Sequence, residues 1–408
     1  MNKIIPYGRQ YITQEDIDAV SQALIGDYLT QGPIIKEFED AFANYVGANY
    51  AVAVTNGTAA LHLSVLALSI KPGDKVITTS LTFAASANCI RYCGGEVVFI
   101  DIDPTTFLID LDKVETLLKN SPKGTYKGIV PVDFAGRPIN LERLKKMADE
   151  FGLWIIEDAC HAPGASFLDS EGEFQKSGNG NFADLAIFSF HPVKHIATGE
   201  GGMITTNDEN LYKKLLSLRT HGITKDQLNF KNSIDQVGGN ITDTDYPGWY
   251  MEMQELGYNY RITDFQCALG ISQLKRADNG LNNRTAIAKR YDLAFQNKLN
   301  IKSPSLEIDS KFIDKHAYHL YVLLVEDRLG LYNHLKENGI FAQIHYYPVH
   351  LMPYYRNFGW KEGDLPNVEE YYSKCISIPM YPTLTLEEQE IVISNILNYY
   401  KNIIKVNG

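Results

Sequence analysis

The stretch DKVITTSLTFAASANCIRYCGGEVVFIDID, residues 74–103, decides the reading of the fold. A short run rich in valine and isoleucine comes first, then a helix-length apolar segment from about Ala84 to Tyr92, then a second β-branched run ending at Ile100. Two strands with a helix between them are too far apart in sequence for a tight hairpin; they read as parallel neighbours joined by a crossover.

The same rhythm extends in both directions. Upstream, YAVAVTNGTAALHLSVLAL (50–68) reads as strand, turn and buried helix. Before it lie two amphipathic helices. The first opens at Thr13 and Asp16 with Ile17, Val20 and Leu24 as its apolar stripe; the second runs from about Ile35 to Tyr45, and GDYLTQGP (26–33) separates them. Downstream, LDKVETLLKN and LERLKKMADEFG read as helices, and GIVPVDFAG, LWIIEDACHAPG, ADLAIFSFHP and GGMITTND contain strands. This alternation describes an α/β domain with a mainly parallel sheet, in which polar chemistry gathers where strands end and helices begin. Residues 223–258, with Gly238, Gly239 and the loop DTDYPGW, are irregular, and GYNYR (257–261) opens a segment that reads as one long helix or two close ones. A smaller α/β region follows, with HLYVLLV and IFAQIHYY as strands and LYNHLKENG and LEEQEIVISNILNYY as helices.

A chain of 408 residues is long enough for two domains. Lys and Arg number 38 against 49 Asp and Glu, a formal charge of −11 with no dense basic run, which argues against general nucleic-acid or anionic-membrane binding. No apolar run has the length of a membrane span or a secretion signal, so the expected location is cytoplasmic. The five cysteines are too scattered for a disulfide scaffold and read as ordinary thiols. His191 and His195, and His345 and His350, are accompanied in sequence by no HExxH or ordered carboxylate-histidine set, so no metal is expected. No GxGxxG follows the first strand and no GxxxxGK[ST] occurs, which leaves dinucleotide and P-loop chemistry without phosphate loops.

The chemistry-bearing segment is FHPVKHIATGEGG (190–202). Lys194 follows a strand directly, and the glycines after it let backbone approach a bound group. An amine so placed is a candidate imine-forming nucleophile. Asp158, at the end of another strand, can pair with the pyridine nitrogen of pyridoxal phosphate and strengthen the ring as an electron sink. His161 lies against the ring or bonds Asp158. Gly57, Thr58 and Ala59 open a helix after the AVAV strand and offer backbone N–H groups and one hydroxyl to a phosphate, with Ser189 as a further contact. Phe83 can stack on the ring.

TNGTAAL, SLTFAASANCI, VFIDID, PVDFAG, IEDACHAPGA, FSFHPVKHIATGEGG, GYNYRITDFQCALGISQL and QIHYYPVHLMPYY, in this order, resemble the DegT/DnrJ/EryC1/StrS sugar-nucleotide aminotransferases over nearly the whole chain. The resemblance implies a fold-type I PLP-dependent aminotransferase: a large mixed-sheet domain (1–260, with an N-terminal substrate segment) and a smaller C-terminal α/β domain preceded by a long helix (261–408). It implies that Lys194 bonds the cofactor aldehyde and shuttles protons, that Asp158 pairs with the ring nitrogen, and that Phe83 stacks on the ring. It also implies phosphate contacts from Gly57, Thr58, Ala59 and Ser189, and a homodimer in which Asn259 reaches the phosphate across the interface. Thr30, Gln31, Arg261, His345 and Tyr346 are its implied substrate contacts. The implied reaction takes the amino group of L-glutamate to C4 of a UDP-linked 4-keto-6-deoxy-N-acetylhexosamine, giving UDP-4-amino-4,6-dideoxy-N-acetyl-β-L-altrosamine, an intermediate of pseudaminic acid biosynthesis, and 2-oxoglutarate. The alternatives are the same chemistry on another UDP- or dTDP-linked 4-keto-6-deoxy sugar, of a bacillosamine, legionaminic acid or antigen pathway. A dehydratase branch, with histidine where Lys194 stands, and a non-catalytic homologue fit these residues less well.

Overall fold

The computed structural model describes residues 4–239, 245–298, 300–303 and 312–407. Asp243 and Thr244 of the DTDYPGW loop, and Leu299 at the end of the expected helical segment, lie outside them.

Two helices come first, α1 (Gln14–Ile25) and α2 (Pro33–Val46). Strands and helices then alternate: β1 (Tyr50–Val54), α3 (Gly57–Ala67), β2 (Lys75–Thr79), α4 (Ala85–Tyr92), β3 (Glu96–Ile100), α5 (Leu111–Lys119), β4 (Tyr126–Val130), α6 (Leu141–Phe151) and β5 (Trp154–Asp158). A small pair, β6 (Ser166–Leu168) and β7 (Phe174–Lys176), precedes β8 (Leu185–Ser189), β9 (Gly202–Thr206) and α7 (Glu209–Arg219). The seven-stranded sheet has the order β1-β9-β8-β5-β4-β2-β3. Its β3, β2, β4, β5 and β8 run parallel, and β9 is antiparallel to both β8 and β1. The reversal at β9 has a simple cause. The connection from Ser189 to Gly202 carries no helix, so the chain turns back beside β8 instead of crossing over the sheet.

Capping residues set the starts of the helices, the expected entry at Thr13 among them. Thr13 and Asp16 form a capping box on α1, Asn56 caps α3 through Ala59 N, and Asp110 caps α5. The expected apolar stripe of α1 is a correction: Ile17 and Leu24 are exposed, and the buried side of the helix holds Ala23 and Asp16. Asp16 is ion-paired with Arg276 and accepts Gln273 Nε2 at 2.9 Å, so a polar contact, and not the stripe, seats this helix on the helix that contains Gln273.

After β10 (Ile223–Thr224) and β11 (Glu252–Met253), the GYNYR segment leads into two close helices, α8 (Asp264–Leu274) and α9 (Ala277–Phe295). A second sheet of three strands is formed by β12 (Ile301–Lys302), β14 (Tyr321–Val325) and β15 (Cys375–Ile378), while β13 (Ile313–Lys315) joins β6 and β7. The helices α10 (Arg328–Glu337) and α13 (Leu386–Asn407) flank this part, with short helices α11 (Pro353–Arg356) and α12 (Pro366–Lys374) between.

IFAQIHYY is not a strand. It makes single bridges, Ile340 with Ile5 and Gln343 with Ser377, and β15, which the sequence reading lacks, takes the ladder position beside β14. The N-terminal segment is tied to the same region: Ile5 N donates to Gly339 O and Phe341 N to Ile5 O, both at 2.9 Å. Ile5 packs in one apolar cluster with Tyr291, Tyr321, Ile378 and Val392. The large sheet has its own apolar layers on both faces, with α2, α8 and α9 residues on one side and α3, α4 and α7 residues on the other. No helix of the described residues is long and apolar enough to cross a membrane.

Candidate active site

The chain ends of β5 and β8, the first turn of α3 and the first turn of α4 converge on one cavity of about 450 Å³. Gly57, Thr58, Phe83, Asp158, His161, Ser189, Lys194, His345 and Tyr346 all line it, so nine of the expected residues meet in one place from five separated segments. Convergence at the carboxyl ends of parallel strands is what an open α/β sheet provides.

At one end is the turn from β1 into α3. An added Cβ on Gly57 would lie 3.0 Å from Ser189 Cβ, and one on Gly202 would lie 2.5 Å from Asn56 O and 2.9 Å from Gly57 N. Any side chain at these positions would fill the space in which the free N–H groups of the helix start face the Ser189 hydroxyl. An anion-receiving cradle built from a helix N-terminus and a hydroxyl fits a phosphate. The N–H of Ala59 is already committed to Asn56 Oδ1 at 2.8 Å.

At the other end, Asp158 is buried and accepts Ser86 Oγ at 2.6 Å and Cys160 N at 3.2 Å. Lys194 N donates to His191 O at 2.8 Å, which holds the loop after β8. Burial lowers the Lys194 ammonium below its usual range, against the opposing pull of Cys160 and Asp158, so more of the amine stands in the neutral form that can attack a carbonyl or take a proton. Phe83 is 63% exposed, a costly state for a phenylalanine unless a flat apolar group covers it, and it faces the cavity with Tyr346 6.3 Å away.

His161 sits deep, its Nδ1 accepting Ala135 N at 3.3 Å and its Nε2 3.3 Å from the Tyr346 hydroxyl. Burial, then the nearby Lys194 charge, pushes its imidazolium well below the usual range, so the ring is neutral. With Nδ1 accepting, its proton sits on Nε2, directed at Tyr346. His345 is held by Ser377 Oγ at 2.9 Å and is lowered to about 3, mainly by burial. Its ring faces Tyr7 at 5.6 Å.

Thr30, Gln31, Asn259 and Arg261 stand elsewhere. Thr30 bridges to Thr263, Arg261 Nε donates to Asn259 Oδ1 at 3.0 Å, and Arg261 also donates to Gln31 Oε1 at 3.1 Å. These four are not among the residues lining the cavity. Among the described residues no group of three His, Cys, Asp or Glu side chains comes together to hold a metal ion.

Sequence reading passes over Ser86, Thr82, Tyr7 and His319, all on the cavity wall. Ser86 carried one usable signal: it is a hydroxyl in the first turn of the helix that presents Phe83. The His319 ring lies tilted at 4.2 Å from that of His161 but stands in the sequence as one more histidine of an apolar strand.

Comparison with known proteins fits this arrangement. The model of the DegT/DnrJ/EryC1/StrS aminotransferase family matches residues 10–397. The spore coat polysaccharide biosynthesis protein SpsC of Bacillus subtilis is 38% identical over 408 residues, covering 98% of each chain. The UDP-4-amino-4,6-dideoxy-N-acetyl-β-L-altrosamine transaminase of Campylobacter jejuni is 36% identical over 408 residues, covering 98% of this chain and 99% of that one. Among solved structures, the PLP form of Spr1654 from Streptococcus pneumoniae superposes with a TM-score of 0.84 at 27% identity, covering 98% of this chain and 100% of that one.

Proposed function

The chain belongs to the DegT/DnrJ/EryC1/StrS aminotransferase family, and from that premise we propose that it transfers the amino group of L-glutamate to C4 of a nucleotide-linked 4-keto-6-deoxy sugar. Fold and family make it a PLP-dependent aminotransferase. One observation carries the assignment of parts: a half-buried lysine, a buried carboxylate and a helix-start anion cradle share one cavity with an exposed phenylalanine.

The residues fit pyridoxal phosphate. In this reading the first turn of α3 and Ser189 would hold the phosphate, Phe83 would pack against the ring, Asp158 would hold the ring-nitrogen proton and the Lys194 amine would bond the aldehyde. When bound, the cofactor supplies a carbonyl that joins an amine and a ring that draws in the electrons of a broken C–H bond. Lys194 Nζ takes the proton from the α-carbon of glutamate and, in the return half of the reaction, delivers one to C4 of the sugar. Burial of Lys194 favours the neutral amine that can take that proton. Asp158 stabilises the charge that develops only while the C–H bond is broken, so its contribution falls on turnover more than on binding.

The acceptor is kept at the level of its class. Similarity to the Campylobacter transaminase supports a UDP-linked N-acetylhexosamine, while the spore coat polysaccharide biosynthesis protein, at 38% identity, names no sugar. His345, Tyr346, Thr30, Gln31 and Arg261 are the sugar-nucleotide contacts of this reading, and Asn259 completes the phosphate site of a partner subunit. The test is a side-by-side assay of UDP- and dTDP-linked 4-keto-6-deoxy sugars with glutamate, with NMR of the product. Formation of 2-oxoglutarate and a 4-amino sugar from any of them supports the reading; a loaded enzyme inert to all of them removes it.

A further inference from the structure

We infer that Ser86, backed by Thr82, is a positioning residue that aims and fixes the carboxylate of Asp158. The inference rests on the role proposed for Asp158 and goes beyond it. Ser86 and Thr82 are 1% and 2% exposed, and neither belongs to the expected set of site residues.

The direction of the hydrogen bonds follows from chemistry. An ionised carboxylate accepts and cannot donate, so the 2.6 Å contact between Ser86 Oγ and Asp158 Oδ2 uses the one hydroxyl hydrogen of Ser86. Ser86 Oγ also lies 3.4 Å from Phe83 O, a much weaker acceptor at that distance. With its hydrogen spent, Ser86 accepts in its 2.7 Å contact with Thr82 Oγ1, which makes Thr82 the donor. The result is a one-way chain, Thr82 to Ser86 to Asp158, in which each link polarises the next.

The placement adds to the argument. The second oxygen of Asp158 accepts Cys160 N at 3.2 Å, so both oxygens are pinned and the carboxylate plane has no free rotation. Thr82 and Ser86 flank Phe83 in the same turn. One local conformation therefore sets the aromatic wall of the cavity and the orientation of the carboxylate across from it.

The test uses the full-length protein as Ser86→Ala, Ser86→Thr, Thr82→Val and Asp158→Asn. Hydrogen bonds to a charged group lie at the strong end of their range, so Ser86→Ala should lower kcat roughly tenfold or more with the KM for both substrates within about twofold. Titration of the apo-protein with pyridoxal phosphate, followed by absorbance, should show weaker binding by roughly a similar factor. Ser86→Thr, which keeps the hydroxyl, should recover most of both losses, and Thr82→Val should give a smaller loss of the same kind. Thermal unfolding of each apo-protein separates a folding defect from these effects. If Asp158→Asn is crippled while Ser86→Ala and Thr82→Val keep wild-type kcat and cofactor affinity, the inference fails and the proposed function stands. If Asp158→Asn turns over like wild type, the role of Asp158 fails first and the inference with it.

Discussion

Glu157 and Asp158 are consecutive on β5 and face opposite sides of the sheet: Asp158 lines the cavity, and Glu157 is buried on the other face against Asp133. The two buried carboxyls share one environment. Asp133 accepts Ser177 Oγ at 2.7 Å and Ile139 N at 3.0 Å, whereas Glu157 accepts Gly178 N at 2.9 Å. Asp133, with more donors, is therefore the better-stabilised anion and Glu157 the member that keeps its proton.

That pair makes folding sensitive to pH. Burial raises Asp133 to about 6 and pushes Glu157 well above the usual range, with the Asp133 charge adding to the second effect. Folded values above unfolded ones mean that the native chain binds the extra protons. The contribution of the pair is full below about pH 4, where unfolded carboxyls are also protonated, and is lost as pH rises through 6 and beyond. Glu157→Gln, whose amide keeps an acceptor for Gly178 N, should flatten this slope and raise the apparent Tm at pH 8 by about 1–3 °C relative to wild type. Calorimetry of the apo-protein from pH 5 to pH 8 measures it; an unchanged slope would show that the pair does not titrate in that range.

If Lys194 has the proposed role, Lys194→Ala removes both the covalent anchor and the proton carrier, and turnover should fall by roughly a thousandfold or more. Cofactor should still bind, since the cradle at Gly57, Thr58 and Ser189 is untouched. The matching measurement on wild type is borohydride reduction of the loaded protein followed by peptide mass mapping. Label found away from residue 194, or an active alanine variant, would end the assignment.

The strand start at Gly202 is packed on the turn at Asn56 and Gly57 so closely that a methyl group would meet backbone, which cannot swing aside as a flexible side chain can. Gly202→Ala should displace the α3 turn, costing about 1–3 kcal/mol of stability and weakening pyridoxal phosphate binding roughly tenfold. Absorbance titration of the refolded variant checks the second number. Wild-type affinity in a variant of lowered Tm would separate the turn from the phosphate.

These cases mark what the residues reveal and what they hide. The βαβ rhythm, the helix start at Thr13 and Asp16, and the grouping of Lys194, Asp158, Thr58 and Ser189 were legible because each depends on neighbours in sequence or on strand ends. Ser86 was not, because its meaning lies in a carboxylate 72 residues away. IFAQIHYY has the composition of a strand, yet Cys375–Ile378 takes the place beside β14 and leaves His345 and Tyr346 to wall the cavity. The stripe of α1 has helical period, but Asp16 and Arg276 decide which side turns inward, and Ile17, Leu24 and Ile25 stay exposed in a single chain.

Those exposed side chains, with Tyr28 and Leu29, lie in the same N-terminal region as Gln31, which accepts from Arg261, itself bonded to Asn259, at the surface and away from the cavity of its own chain. If Asn259 serves the cavity of a partner subunit, each active site draws Lys194 from one protomer and Asn259 from the other. Lys194→Ala and Asn259→Ala homodimers should each be strongly impaired. Unfolded together and refolded at equal amounts, they should form mixed dimers for half the population, each with one intact site, and recover about a quarter of wild-type activity. Activity that never exceeds the mean of the two parents, in a mixture shown by native mass spectrometry to contain the mixed dimer, would place Asn259 in the site of its own chain or outside any site.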